Sequence, residues 1–249
     1  MDTARMNNDA DLIEGIASQH IQVTNGSYIL ISSKEPLRTL SSTIWGGGFG
    51  FHRHIVNRHV DKHYNCDHPI TEMDEFLQTQ GLPSVDVVGM LTAAYLEDVG
   101  YHSLSYVLDA NQSDSDCLHV SAWVTMGLGN IARAGLERKP EELFPGTINI
   151  ILVIDGNLSD CAMANCIITA TEAKVAALQD LDVHVQDMNG HMRRATGTTT
   201  DAIVVAATNR GRIREYAGTA TWLGHLIGRT VYEAAMEAGR NYKKAVLSR

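Results

Sequence analysis

A chain of 249 residues with 44% hydrophobic and 20% charged content can bury a substantial core as one large domain. Its formal charge of −9 argues against nucleic acid or an anionic membrane as partner, because both require clustered cations. Four cysteines without CxxC spacing (Cys66, Cys117, Cys161, Cys166) point to reduced thiols in a cytoplasmic protein. The first twenty residues carry acids and amides where a signal peptide needs an apolar core. No apolar run approaches the roughly 20 residues of a membrane helix.

Residues 1–19 read as a flexible lead and 20–249 as a single domain. "HIQVTNGSYILISS" (20–33) predicts two strands around Asn25-Gly26, a dipeptide that favours hairpin turns. "RTLSSTIW" (38–45) predicts a third strand, stopped by Gly46-Gly47-Gly48. "ITEMDEFLQTQ" (70–80) predicts a short helix capped by Thr71 and closed by Gly81. "SVDVVGMLTAA" (84–94) and "CLHVSAWVTMG" (117–127) predict apolar strands, with the acidic "DANQSDSD" (109–116) as a surface excursion between them. "GTINIILVID" (146–155) is a β-branched run expected to be covered on both faces. Ser159 and Asp160 start a helix reaching Asp180. It carries no charge between Asp160 and Glu172 and is expected to pack on more than one side. A second buried strand (199–208) and a long terminal helix (218–247) follow. The pattern predicts a mixed α+β fold, a central sheet with helices packed outside, and "ERKPEELFPG" (137–146) as a loop within it.

Three chemistries compete for the segment 41–69, which places five histidines behind three glycines. His52, His54, His59, His63, Cys66, Asp67 and His68 are metal-ligand types, but no known ligand spacing joins them, and Arg53, Arg58 and Lys62 are interleaved. The expectation is therefore no metal. GGGFG permits close backbone approach but matches no nucleotide-binding loop. No GxSxG elbow marks a nucleophile, leaving Ser41, Ser42, Thr43, Ser121, Thr125 and Thr198 to Thr200 as scattered hydroxyl candidates. Asp155 and Asp201 flank strand ends.

Six blocks in order, "SSTIWGGGFG", "IVNRHVDKHYNCDHP", "VTMGLGNIARAG", "GTINIILVIDGNLSDCAMANCIITATEAKVAALQDL", "ATGTTTDAIVVAAT" and "YAGTATWLGHLIGRTVYEA", resemble the adenosylcobinamide amidohydrolase family (CbiZ-type) of corrinoid salvage. The resemblance implies hydrolysis of the amide joining the corrin propionyl side chain to aminopropanol. Adenosylcobyric acid and 1-amino-2-propanol would be the products. The cobalt corrinoid would be the substrate, with no further cofactor. Against the family pattern the chain has His68 for an aspartate, and Thr199 and Asn209 for glycines.

A flat, amide-rimmed cation as substrate would suit Trp45, Trp123 and Trp222 as apolar surface and Gly46, Gly47 and Gly48 as backbone donors. His52, Asn65, Asn130 and Arg133 would suit it as polar partners. The later blocks are also similar to aminopeptidases of the DmpA type. That likeness implies an αββα sandwich, with Thr125 near the nucleophile, Gly127 or Gly129 as oxyanion amides, and Asp201 or Lys62 handling the proton. Two other readings stay open: a metal-assisted hydrolase of another amide, and a non-catalytic corrinoid-binding protein. A homodimer is expected from the long terminal helix and the tryptophans.

Overall fold

The computed structural model describes residues 13–24, 26–107, 117–137 and 146–248. The lead before residue 13, the excursion at 109–116 and most of the loop 137–146 lie outside the described residues. So does Asn25. Of the expected lead, Ile13 is already 1% exposed, and strand pairing begins at Ile16, which opposes Ser33.

Eight strands form one sheet. They are β1 (Ile16–Val23), β2 (Gly26–Ser41), β3 (Gly48–His59), β4 (Val87–Thr92), β5 (Gly100–Val107), β6 (Cys117–Met126), β8 (Ile148–Asp155) and β13 (Ala202–Ala207). The order is β4-β3-β2-β13-β8-β6-β5, with β1 paired to β2. Short ribbons pair β7 (Ile131–Ala132) with β12 (Gly197–Thr198), β9 (Asn157–Leu158) with β14 (Ile213–Arg214), and β10 (His184–Gln186) with β11 (Met192–Arg194). The helices are α1 (Pro69–Thr79), α2 (Asp160–Asp180) and α3 (Trp222–Ser248).

A register shift in β2 between Ser32 and Leu37 interrupts its ladder with β3. An irregularity of this kind bends a strand and increases its twist. The sheet doubles back there, and side-chain alternation records the result. On β8, Ile148, Ile150, Leu152 and Ile154 face α2 and α3, whereas Ile151 and Val153 face Ile29, Ile31, Ile55, Val88 and Met90 of the other half. The outer side of that half, with Tyr28, Leu30, Val56 and Val87, is covered by Met73 and Leu77 of α1. The layers run α2/α3, sheet, sheet, α1. The fold is mixed α+β with αββα layering, as expected.

Local departures have simple causes. Of the strand expected at 38–45, only Arg38–Ser41 is strand, as the end of the long β2. Residues 42–45 lie in the connection to β3, where Trp45 makes a single bridge to Gly89. Thr71 does not cap α1. Pro69 starts that helix, its fixed φ suiting the first turn, and His68 makes no side-chain cap bond. No element was expected over Gly100–Val107, whose polar alternation suits the sheet edge that β5 occupies. Ser159 does cap α2, accepting from the Ala162 amide at 3.2 Å. The helix α2 meets the length and composition of a membrane span, more than the sequence reading allowed. Here its Ala162, Met163, Cys166 and Ala170 pack into the core. Its outer face is open rather than packed, with Ile168 55% exposed.

Candidate active site

At the amino-terminal ends of β8 and β13 the two halves of the sheet part into a cleft of about 680 Å³. One wall is the loop after β3, from Val60 to Tyr64, together with Leu91, Thr92 and Ala93 at the end of β4. Asn130, Gly146, Thr147 and Thr200 form the facing wall. That volume falls within the range of small-molecule sites.

Each wall is fastened to the fold behind it. The Val60 amide donates to the Thr92 carbonyl at 2.9 Å, and the Tyr64 amide donates to the Asp61 carbonyl at 2.8 Å. The Tyr64 hydroxyl donates to Glu72 of α1 at 3.1 Å, and Arg58 pairs with the same carboxylate at 2.7 Å while lying over the Phe76 ring. The Arg58 guanidinium holds the Glu72 carboxyl below its usual range, so it remains an acceptor. Burial, then Cys66 and Glu72, push the Tyr64 phenol up. In the facing wall the Gly146 carbonyl accepts from Asn130 Nδ2 at 3.2 Å and from Thr200 Oγ1 at 2.7 Å.

Below the cleft lies a polar cluster between the sheet layers. Asn57, Thr125 and Asn149 are each 1% exposed. Asn57 Nδ2 donates to Thr125 Oγ1 at 3.0 Å, and Asn149 Nδ2 donates to Asn57 Oδ1 at 3.0 Å. Asn149 Nδ2 also donates to the Leu91 carbonyl at 2.9 Å, and its Oδ1 accepts from Thr147 Oγ1 at 3.2 Å.

The residues singled out from the sequence fall into three places. Lys62 and Asn130 line the cleft. Thr125 sits beneath it, its hydroxyl accepting from Asn57 rather than facing a base. Asp201 stands beside Thr200, but its carboxylate is occupied: Oδ1 accepts from the Ile148 and Thr198 amides at 3.1 and 3.0 Å, and Oδ2 pairs with Lys174 at 2.5 Å. Trp45, Gly46, Gly47, Gly48, His52, Asn65 and Arg133 are outside the cleft lining. Trp45 bridges to Gly89 in the middle of β4. A Cβ on Gly46 would lie 2.7 Å from the Val87 carbonyl, and one on Gly47 would lie 2.1 Å from the Thr43 carbonyl. The triple glycine is thus required by its own turn against β4. His52 shares a 2.7 Å hydrogen bond with Thr39, and Arg133 donates to the Arg194 carbonyl at 2.8 Å. Asn65 is exposed. The Gly127 amide is committed to the Thr147 carbonyl at 2.9 Å.

Among the described residues, no three His, Cys, Asp or Glu side chains assemble as a metal site. The histidine run disperses instead: His54 meets Ser32, His59 stacks on Tyr95, and His63 joins the cleft wall. Sequence reasoning missed Thr147, Thr92, Tyr64, Asn57 and Asn149. Only the polar interruption of apolar strands at Asn57 and Asn149 was a visible signal.

A family model described as adenosylcobinamide amidohydrolase matches residues 11–246. The chain belongs to the adenosylcobinamide amidohydrolase family. A Methanosarcina mazei protein named adenosylcobinamide amidohydrolase is 29% identical over 199 residues, 76% of this chain and 84% of that one. A Halobacterium salinarum protein of the same name is 32% identical over 124 residues, 47% of this chain and 49% of that one. An uncharacterized Methanocaldococcus jannaschii protein is 43% identical over 93 residues, which span 37% of this chain and only 35% of that relative. For this adenosylcobinamide amidohydrolase family member, Asn209 is informative. It has a φ of 60°, a left-handed conformation that suits the glycine expected there from the resemblance and that asparagine tolerates better than most side chains.

Proposed function

We propose that this protein hydrolyses the amide between the corrin propionyl side chain and aminopropanol in adenosylcobinamide, releasing adenosylcobyric acid and 1-amino-2-propanol for corrinoid salvage in the cytoplasm. The observation that carries the reading is the family match, which runs through both walls of the cleft. The cleft takes the amide-bearing arm, and the rest of the disc lies over its rim. The cobalt corrinoid is substrate, and the reaction calls on no other cofactor. A chain of net charge −9 weakly favours a cationic ligand.

Amide hydrolysis needs an activated attacking oxygen, donors for the oxyanion and an acid for the departing amine. Lys62 and His63 supply proton-transfer groups from the Val60–Tyr64 wall of the cleft. Asn130, Thr147 and Thr200 supply amide and hydroxyl groups opposite them, and Thr92 adds a hydroxyl on their own side. The test is incubation of pure protein with adenosylcobinamide, with mass-spectrometric detection of aminopropanol. Catalytic release supports the assignment. A stoichiometric colour change without aminopropanol would leave a corrinoid-binding protein, and activity lost to a strong chelator and restored by metal would indicate a metal-assisted hydrolase.

A further inference from the structure

The strand β8 enters the space between the sheet layers, where Ile151 and Val153 are the kind of residue expected. Asn149 breaks that pattern at 1% exposure. A buried amide is costly unless its hydrogen bonds are made, and an apolar side chain of similar volume would usually serve stability as well. What distinguishes Asn149 is the position of its partners. Both hydrogens of its amide are used, one on Leu91 in one cleft wall and one on Asn57. Its oxygen lies 3.2 Å from the Thr147 hydroxyl of the opposite wall, which shares its single proton between Asn149 and the Thr200 carbonyl at 2.8 Å.

The orientation of the whole cluster follows from one fixed acceptor. A backbone carbonyl cannot donate, so the Leu91 oxygen requires the NH2 side of Asn149. Asn57 must then turn its oxygen toward Asn149, which directs its own NH2 to Thr125. Thr125 lies directly across from Asn149 in the β6–β8 ladder, so the relay closes within one layer after crossing to the other and back.

We propose that Asn149 is a positioning residue that holds the Leu91–Thr92 wall at a fixed separation from Thr147, with Asn57 and Thr125 fixing its amide orientation. This role rests on the hydrolase reading for its catalytic consequence, but not for its effect on the wall. In Asn149→Leu, turnover per folded molecule should fall ~10–100-fold while KM for adenosylcobinamide moves less than ~3-fold, because small misplacements of a site cost rate. The Val60 amide, bonded to Thr92, should exchange with solvent at least ~10-fold faster in the folded variant, the retarding bond having been loosened. Asn149→Asp keeps the shape and guards against a misfolded leucine variant. Its carboxylic acid can still donate to Leu91 when protonated, so its turnover relative to wild type should decline as pH rises. Wild-type turnover per folded molecule, or Val60 exchange unchanged in the folded variants, would overturn the role. If the wild-type protein releases no aminopropanol, the hydrolase reading fails by itself and the exchange comparison still decides the relay.

Discussion

Lys174 Nζ of α2 lies 2.5 Å from Asp201 Oδ2, and a Cβ on Gly197 would intrude to 2.2 Å from that same carboxylate oxygen. The other oxygen gathers the Ile148 and Thr198 amides, so one carboxylate joins α2, the start of β8 and the approach to β13. The side chains are 9% and 19% exposed, which places the pair in the partly buried class where removing one partner strands the other charge.

Asp201→Asn and Lys174→Met should each lower unfolding free energy by about 2–3 kcal/mol, and their effects should not add, because both remove one interaction. Guanidinium melts of the two single variants and the double variant measure this. If Asp201→Asn instead abolished turnover at wild-type stability, the catalytic role expected from the sequence would stand.

Burial depresses the pKa values of His52 and His54 below 6.5, with Asp86 opposing the shift at both and Arg53 adding to it at His54. Below pH 6.5 the unfolded chain therefore takes up protons at these positions before the folded protein does. Stability should fall as pH drops through the interval between 6.5 and the depressed folded values, then level off as the folded imidazoles protonate. A His52→Gln, His54→Gln variant should lose less stability than wild type between pH 7.5 and 5.5. Equal losses in the two proteins would count against the mechanism.

Cys166 is 0% exposed and its thiol is pushed up to about 12 by burial, whereas Cys117 and Cys161 are exposed. Maleimide labelling of the native protein at neutral pH should modify Cys117 and Cys161 and spare Cys166 until denaturant is added. Mass spectrometry of the labelled peptides decides it, and rapid native modification of Cys166 would contradict this packing of α2.

Asn209 holds a φ of 60° and its amide donates to the Gly156 carbonyl at 2.9 Å. Asn209→Gly should change stability by only a few tenths of a kcal/mol, whereas Asn209→Val should cost about 1–2 kcal/mol, since a β-branched side chain strains the left-handed region. Thermal melts of both variants provide the comparison, and equal melting temperatures would mean that this turn relaxes.

The sequence by itself determined what depends on neighbours along the chain. β-branched runs announced β8 and β13, Ser159 announced the start of α2, and six ordered blocks announced the family. It could not show which distant residues share the cleft, because that follows from the bend in β2 and the doubling of the sheet. Lys62 and Asn130, polar residues within the family blocks, are two sequence candidates that line the cleft. Thr147 and Asn149 lay unremarked in a β-branched run, and tertiary packing set them around the cleft, just as it placed the glycine turn of Gly46 and Gly47 against β4 and outside the cleft lining. The physical reason is that a side chain's period along a strand fixes its face, while its chemical partner is chosen by the layer that folds over that face.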